Sequence, residues 1–300
     1  MGIDLSGQVH VVTGAGRGIA QAIALAMADA GAAVVVNDID GDVASDTVAR
    51  ITASGARATA VAAPIGDAAA ADLCIDTALD HFGRMDGIVA NAGVLRDAIL
   101  WKATDEDFDL VVHTHLRGAF TCGRAAARHF RAVGQSGCII LVSSVAGQRG
   151  NVGQTAYAAA KAGVAALART WSMELSRAGV SVNAMVPTAL TRMVATIPGL
   201  DAAVDAAARG EAIPDDLRHD LGLGTADDVA PLAVFLASDA GRRITGQCIG
   251  IGGDRLSLWS HPQEIALCRS KGGWRADDIA AAWDDTLAPH RQDVGIDGKT

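Results

Sequence analysis

The chain has 300 residues, half of them apolar and only 4% aromatic, and its formal net charge is −9. A chain of this length buries enough apolar surface to fold without disulfide bonds or a structural metal. The acidic balance, without any basic stripe, argues against nucleic-acid binding, because phosphate contacts require clustered lysine and arginine. Five scattered cysteines without a C-x-x-C pair indicate reduced thiols, no metal site and a cytoplasmic protein. The sequence has neither a basic leader nor a run of about 18 apolar residues, so we expect no membrane association.

Short β-branched runs alternate with longer helical stretches through most of the chain. This alternation predicts an α/β fold, a single doubly wound Rossmann domain with a parallel seven-stranded sheet and helices on both faces. The predicted strands are residues 10–13, 33–37, 58–62, 87–91, 138–143, 180–185 and 248–251. The predicted helices are residues 19–30, 42–54, 68–82, 105–133, 155–178 and 226–238. Because ligands of such sheets bind at the carboxyl ends of the strands, we expect the functional residues at that edge.

The Rossmann domain is predicted to span residues 1–254, and one segment inside it breaks the alternation. Residues 187–224 contain three prolines and several glycines. A long irregular insert at the carboxyl end of a strand is usually functional, so this segment is predicted to be a substrate lid. Residues 255–300 follow the last predicted strand and hold three of the five tryptophans. We expect this C-terminal extension to pack on the core or on a neighbouring subunit.

A glycine-rich turn follows the first predicted strand, with the sequence TGAGRGIA at residues 13–20. Glycines at such a turn let the backbone approach a pyrophosphate, which the free N–H groups and dipole of the following helix then hold. The strict G-x-G-x-x-G spacing fails, because Ile19 stands where the third glycine belongs. The observed spacing is instead Gly14-x-x-x-Gly18-x-Ala20, which keeps the last position small.

A carboxylate closes the second predicted strand, at Asp38. In this position it can accept hydrogen bonds from the adenosine ribose and repel a 2′-phosphate, which favours NAD over NADP. Two other interpretations remain open. Asp38 can simply cap a turn, and the guanidinium of Arg17 can pair with a 2′-phosphate and favour NADP instead.

The only tyrosine of the chain, Tyr157, precedes Lys161 by four residues in a predicted helix. Residues four apart share a helix face, so the phenol and the ammonium point into the same space. A nearby cation favours the phenolate and lowers the pKa of the phenol. Ser144, at the end of the fifth predicted strand, can hold the reacting oxygen while Tyr157 transfers the proton. Taken singly, each of these features is more often structural; their joint order favours an acid/base site.

Together these motifs resemble the short-chain dehydrogenase/reductase family from about Asp4 to Gly253. The resemblance is carried by residues 13–20, Asn91-Ala92-Gly93, Ser144, Tyr157-x-x-x-Lys161 and Pro187. It implies that Lys161 also holds the nicotinamide ribose, and that a homodimer or homotetramer forms through the helices at 105–133 and 155–178. It implies cofactor contacts from Gly14, Arg17, Gly18, Ile19, Asp38, Ile65, Asn91, Ala92, Gly93, Tyr157, Lys161, Pro187 and Thr191.

The sequence departs from the family pattern at three positions. His115 replaces an asparagine of the long fourth helix, and its imidazole can serve either in a proton relay or in helix packing. Pro64 replaces an aspartate near the adenine, which leaves the backbone of Ile65 as the expected contact. Thr188 follows Pro187 where the family usually has glycine.

A narrower resemblance favours one substrate class. Residues 36–38, 91–97, 115–118 and 150–154 are similar to the (3R)-hydroxyacyl-CoA dehydrogenase unit of peroxisomal multifunctional enzyme type 2, also called 17β-hydroxysteroid dehydrogenase type 4. We therefore expect NAD-dependent oxidation of a 3-hydroxyacyl-CoA or a related secondary alcohol, with Tyr157 as acid/base. Alternatives are an NADPH-dependent 3-oxoacyl-carrier-protein reductase, a hydroxysteroid dehydrogenase, or a regulator that senses dinucleotides without catalysis.

Overall fold

The computed structural model describes residues 2–191, 194 and 199–295. Its centre is one eight-stranded sheet with the strand order β3-β2-β1-β4-β5-β6-β7-β8. The strands are β1 Val9–Thr13, β2 Ala33–Asp38, β3 Ala58–Ala62, β4 Gly87–Ala90, β5 Gly137–Val142, β6 Val180–Pro187, β7 Cys248–Gly252 and β8 Arg255–Trp259. The first seven strands pair in parallel, as predicted, and β8 pairs antiparallel with β7. The predicted Rossmann fold is confirmed, with one strand more than the predicted seven.

Helices cover both faces of this sheet. The helices of the described chain are α1 Gly18–Asp29, α2 Gly41–Ala53, α3 Ala68–Phe82, α4 Asp105–Val112, α5 Gly118–Val133, α6 Val145–Arg149, α7 Thr155–Glu174, α8 Asp201–Ala208, α9 Ala230–Ala237 and α10 Ala276–Ala282. Helices α1, α2 and α9 pack on one face, around buried side chains such as Ile23 and Leu236. Helices α3, α5 and α7 pack on the other, around Phe130 and Val164. Because both faces are covered, β1, β4 and β5 are buried along their whole lengths.

The long helix predicted at 105–133 is interrupted. Helix α4 begins after Thr104, whose hydroxyl accepts a hydrogen bond from the Asp107 N–H at 3.2 Å, as its capping sequence predicts. A π-helical turn, His113–Arg117, then separates α4 from α5. Such turns rotate the side chains that follow them and often lie at functional sites. This one places His115 in the interior of the molecule.

The described part of the segment predicted to be a lid, 187–224, is partly helical rather than an irregular loop. It contains α8 and a π-helical turn, Asp216–Asp220, around a small apolar cluster of its own. Arg218 anchors the segment, with two hydrogen bonds to the Asp228 carboxylate at 2.7 and 3.0 Å and an ion pair with Asp254 at 2.7 Å. Residues 192, 193 and 195–198 of the predicted lid lie outside the described residues.

The C-terminal extension begins with β8, so its first residues belong to the sheet. None of the described residues 253–295 is buried, and the side chains of Leu256, Leu258, Trp274 and Trp283 are exposed. Packing of this segment on a partner subunit therefore stays a prediction. Among the described residues, no helix is long and apolar enough to cross a bilayer.

Candidate active site

Thr13 joins two strands at the carboxyl edge of the sheet. Its hydroxyl accepts hydrogen bonds from the N–H groups of Asn91 at 3.1 Å and Ala92 at 3.2 Å. This contact fixes the loop after β4 beside the glycine-rich turn after β1. The sequence motif contains Thr13, but sequence reasoning gave it no role, because its partners lie 78 and 79 residues away.

The glycine-rich turn has the backbone that a dinucleotide requires. Gly14 has φ +68°, and a Cβ atom there would lie 2.8 Å from the Ala92 Cα atom, so no larger residue fits. Gly18 has φ +60° with open space on its Cβ side. No side chain of the described residues caps the start of α1, which leaves its first N–H groups, including that of Ile19, free for an anion. The turn therefore fits the pyrophosphate of a nicotinamide dinucleotide.

Asp38 lies at the end of β2, facing this turn. Its carboxylate accepts hydrogen bonds from the Gly16 N–H at 3.0 Å and the Asp40 N–H at 3.1 Å. The carboxylate thus caps a turn, and it retains lone pairs for the hydroxyls of a ribose. Arg17 forms an ion pair with Asp40 at 2.9 Å, and both side chains are about half exposed. An exposed pair of this kind is weak.

The other residues expected at the cofactor also lie along the carboxyl edge, or directly after it. Ile65 follows β3 and is buried against Gly118. Pro187 is the last residue of β6. Thr191 follows Leu190, whose N–H donates to the Gly224 carbonyl at 2.7 Å and so ties this end of the predicted lid to its other end.

Ser144, Tyr157 and Lys161 converge beside the end of β5. Ser144 is the N-cap of α6, and its hydroxyl accepts a hydrogen bond from the Ala146 N–H at 3.2 Å. Tyr157 lies in the first turn of α7, and the nearby Ser144 hydroxyl acts to lower the pKa of its phenol. The Lys161 Nζ atom, one turn later, lies 5.6 Å from the centre of the Tyr157 ring.

Lys161 is held from two sides. Its ammonium donates to the Val142 carbonyl at 2.6 Å, and its own carbonyl accepts from the Ser143 hydroxyl at 2.8 Å. Burial lowers the pKa of Lys161 to about 7, because desolvation disfavours the charged form. The lysine is therefore only partly charged at neutral pH.

The phenol of Tyr157 has a raised pKa, which differs from the lowering expected from the sequence. Burial is the main cause, and the negative charge of Asp97 acts in the same direction. The Ser144 hydroxyl acts to lower the pKa of the phenol, but burial outweighs it. Tyr157 is thus a protonated acid at neutral pH in this structure.

His115 packs edge-on against Tyr157, with ring centres 5.1 Å apart and an interplanar angle of 85°. Its Nε2 atom lies 2.8 Å from the Val94 carbonyl oxygen, and its Nδ1 atom has no partner among the described residues. Burial lowers the pKa of His115 to about 3, so the imidazole is neutral. A Cβ atom at Gly93 would overlap this ring, which explains the glycine. The neutral ring favours the packing interpretation over a relay through an imidazolium.

A second set of polar residues lies beside Tyr157, and sequence reasoning gave it no role. The Gln154 amide donates to the Asp97 carboxylate at 3.0 Å and accepts from the Asn151 amide at 3.0 Å. These residues come from two of the segments, 91–97 and 150–154, that carry the narrower resemblance. Only the fold shows that the two segments touch.

Comparison with known proteins identifies relatives over most of the chain. Residues 14–253 match the family described as "Enoyl-(Acyl carrier protein) reductase". The hydroxyacyl-CoA dehydrogenase ChsB1 of Mycobacterium tuberculosis is 40% identical, covering 95% of this chain and 90% of the relative. A 3-oxoacyl-[acyl-carrier-protein] reductase of Synechocystis is also 40% identical, covering 83% of this chain and 97% of that protein.

Two further matches are a longer mammalian enzyme and a solved crystal structure. Mouse peroxisomal multifunctional enzyme type 2 is 37% identical over 79% of this chain, which corresponds to 31% of that longer protein. The crystal structure of a short chain dehydrogenase from Mycobacterium avium superposes with a TM-score of 0.85 at 34% identity, covering 98% of this chain and 99% of the other. The C-terminal extension is therefore a feature that some relatives share.

Proposed function

Because the chain belongs to the short-chain dehydrogenase/reductase family of nicotinamide-dependent oxidoreductases, we propose that it interconverts a (3R)-hydroxyacyl-CoA and its 3-oxo form with NAD(H). The observation that carries the proposal is the convergence of Ser144, Tyr157 and Lys161 at the edge of the sheet that also holds the glycine-rich turn and Asp38. A nicotinamide dinucleotide, when bound there, supplies or accepts the hydride.

Different residues of the chain bind different parts of that dinucleotide. The free N–H groups of α1 bind the pyrophosphate, and Gly14 and Gly18 allow its close approach. Asp38 accepts hydrogen bonds from the adenosine ribose and repels a 2′-phosphate, which favours NAD. Arg17 favours the opposite preference, because its ion pair with Asp40 is half exposed and weak, and its guanidinium can turn to a 2′-phosphate. Further contacts come from the backbone of Ile65, from Asn91, Ala92 and Gly93, and from the pocket lined by Pro187 and Thr191.

Proton transfer is the task of Tyr157. In the reductive direction its hydroxyl donates a proton to the carbonyl oxygen that Ser144 holds by a hydrogen bond. In the oxidative direction the phenolate accepts the proton from the substrate hydroxyl, and the Lys161 ammonium favours that form when it is charged. Acid/base groups positioned in this way contribute roughly 10²–10⁴ in rate. His115 keeps the phenol in place by packing against it.

The choice of an acyl-CoA substrate rests on the length of the similarity. The relative named for hydroxyacyl-CoA covers 95% of the chain, whereas the one named for 3-oxoacyl-carrier protein covers 83%. Equal identity to the latter keeps NADPH-dependent reduction of a 3-oxoacyl-carrier protein as the second candidate. A hydroxysteroid dehydrogenase would turn over hydroxysteroids with the same cofactors. A dinucleotide-sensing regulator would bind the cofactors and turn over none of these substrates.

We also propose that the chain forms a homodimer or homotetramer. Light scattering measures this oligomeric state.

The test measures NADH formation from NAD⁺, and NADPH formation from NADP⁺, with (R)-3-hydroxyacyl-CoAs of several chain lengths, hydroxysteroids and simple secondary alcohols. Reduction of 3-oxoacyl-carrier protein is assayed in the opposite direction. Tyr157→Phe is expected to lower kcat by about 100-fold or more while NADH still binds, because only the proton donor is lost. Ser144→Ala should also lower kcat, and the matched variant Ser176→Ala, in the 3₁₀ turn after α7, should not. Full activity of Tyr157→Phe would refute the mechanism.

A further inference from the structure

The loop after β4 is fixed at both ends of residues 94–98. Val94 contacts the buried imidazole of His115 through its backbone. Four residues later, the Ala98 N–H donates to the Gly153 carbonyl at 2.9 Å. The segment between them, which includes Asp97, therefore has a defined position against the residues that precede α7.

Gln154 holds the Asp97 side chain at the start of α7. Both polar atoms of its side-chain amide form hydrogen bonds: Nε2 donates to Asp97 and Oε1 accepts from Asn151, each at 3.0 Å. Gln154 immediately precedes the first residue of α7, and Tyr157 lies in the turn that follows. The hydrogen bond thus ties the exposed Asp97 carboxylate to the residue three positions before Tyr157.

Two titratable groups of the described chain lie against the Tyr157 ring, and a third, Asp97, is tied to the start of its helix through Gln154. Lys161 approaches from α7 with a partly charged ammonium, and His115 approaches from the π-helical turn as a neutral ring. Asp97, on the loop after β4, supplies the negative charge. A carboxylate near a phenol disfavours the phenolate, and the raised pKa of Tyr157 has this charge among its causes.

We propose that Asp97, held by Gln154, is a positioning residue that sets the pH range in which Tyr157 exchanges its proton. The charge keeps the phenol protonated to a higher pH, which delays the rise of alcohol oxidation with pH. This inference rests on the proposed function, because it assigns a regulator to the same acid/base residue.

The first test is the pH profile of kcat/KM for alcohol oxidation in the wild type and in Asp97→Asn. The asparagine oxygen can still accept the Gln154 hydrogen bond, so the variant removes mainly the charge. The rising limb is expected to move to lower pH by about 0.3–1 unit, the range for a partly solvated charge near a phenol. The difference should shrink at high salt, because Asp97 is exposed. The matched control Asp46→Asn, on α2, should leave the limb unchanged.

The second test needs no activity, because Tyr157 is the only tyrosine of the chain. Tyrosinate absorbance in the near ultraviolet therefore titrates one group, and Tyr157→Phe supplies the blank. Asp97→Asn should move the midpoint to lower pH, with circular dichroism recorded at each point to verify folding. If Asp97→Asn folds poorly, Asp97→Ser carries the same expectation.

The proposal stands only if the rate profile and the titration both shift in the stated direction; coincident curves in either measurement overturn it. The two hypotheses fail in different ways. An active Tyr157→Phe variant would refute the proposed function. An inactive Tyr157→Phe variant combined with unshifted Asp97→Asn curves would refute only the role of Asp97.

Discussion

The buried side chain of His10 leads us to expect that acid destabilises the fold. It lies within β1, between Val34 of β2 and Gly87 of β4, and it is fully buried. The Nε2 atom contacts the Gln8 side-chain oxygen at 3.0 Å, and Nδ1 has no partner among the described residues. Burial lowers the pKa of His10 from 6.5 to about 4, with a further lowering by Arg242 and an opposing effect of Asp86. The ring is therefore buried in its neutral form.

The sign of the effect follows from this lowered pKa. Below pH 6.5 the unfolded chain binds a proton at His10 that the folded chain does not, so acidification favours unfolding. The loss begins near pH 6.5 and is complete below about pH 4. The whole difference corresponds to about 3 kcal/mol, since one pKa unit is worth about 1.4 kcal/mol. Between pH 7 and pH 5, His10 should remove about 2 kcal/mol from the free energy of unfolding.

The assay is urea unfolding at pH 7 and pH 5, at one fixed protein concentration. His10→Phe keeps an apolar ring of similar size in β1 and removes the titrating group. The decrease in unfolding free energy between the two pH values should be smaller in this variant, by about 2 kcal/mol. His81→Phe, at an exposed position of α3, serves as the control and should behave as the wild type. Equal pH dependence in the wild type and His10→Phe would refute the reasoning.

Three further predictions concern the active site and the predicted lid. Asp38→Ser should raise kcat/KM with NADP⁺ relative to NAD⁺ by roughly 10- to 150-fold, since a charge-assisted hydrogen bond worth roughly 1.5–3 kcal/mol is lost; an unchanged ratio would remove Asp38 from cofactor selection. Arg218→Ala should raise KM for the acyl substrate more than it lowers kcat, because the segment loses its anchor to Asp228, and Arg218→Lys should fall between; steady-state kinetics with equal KM values would contradict this. Gly93→Ala should lower both kcat and the melting temperature, with about 1–3 kcal/mol lost to overlap with the His115 ring, and unchanged thermal unfolding would argue against that contact.

Much of the architecture was predictable because it is encoded locally. Alternating β-branched and helical segments specify the order of strands and helices, and every predicted parallel strand is present within a few residues of its predicted bounds. The pairing of Tyr157 with Lys161 follows from four-residue spacing on one helix. The positive φ of Gly14 likewise belongs to a short turn with its own sequence pattern.

Two structural features were not predictable from local patterns. Four of the five residues of strand β8 are exposed, and the strand forms because the free edge of β7 offers hydrogen-bonding partners. The π-helical turn that interrupts the helix predicted at 105–133 places His115 against Tyr157 and Gly93. Neither partner is close to His115 in the sequence.

The sequence alone determined the fold class and the family and predicted the acid/base residues, because periodicity and short motifs need only neighbouring residues. Tertiary structure decided the electrostatics of the site. Burial sets the direction of the pKa shift of Tyr157 and of Lys161, and it depends on atoms from distant strands. Gln154 reaches Asp97 across 57 residues of chain. Desolvation and charge act through space, so only the folded chain specifies them.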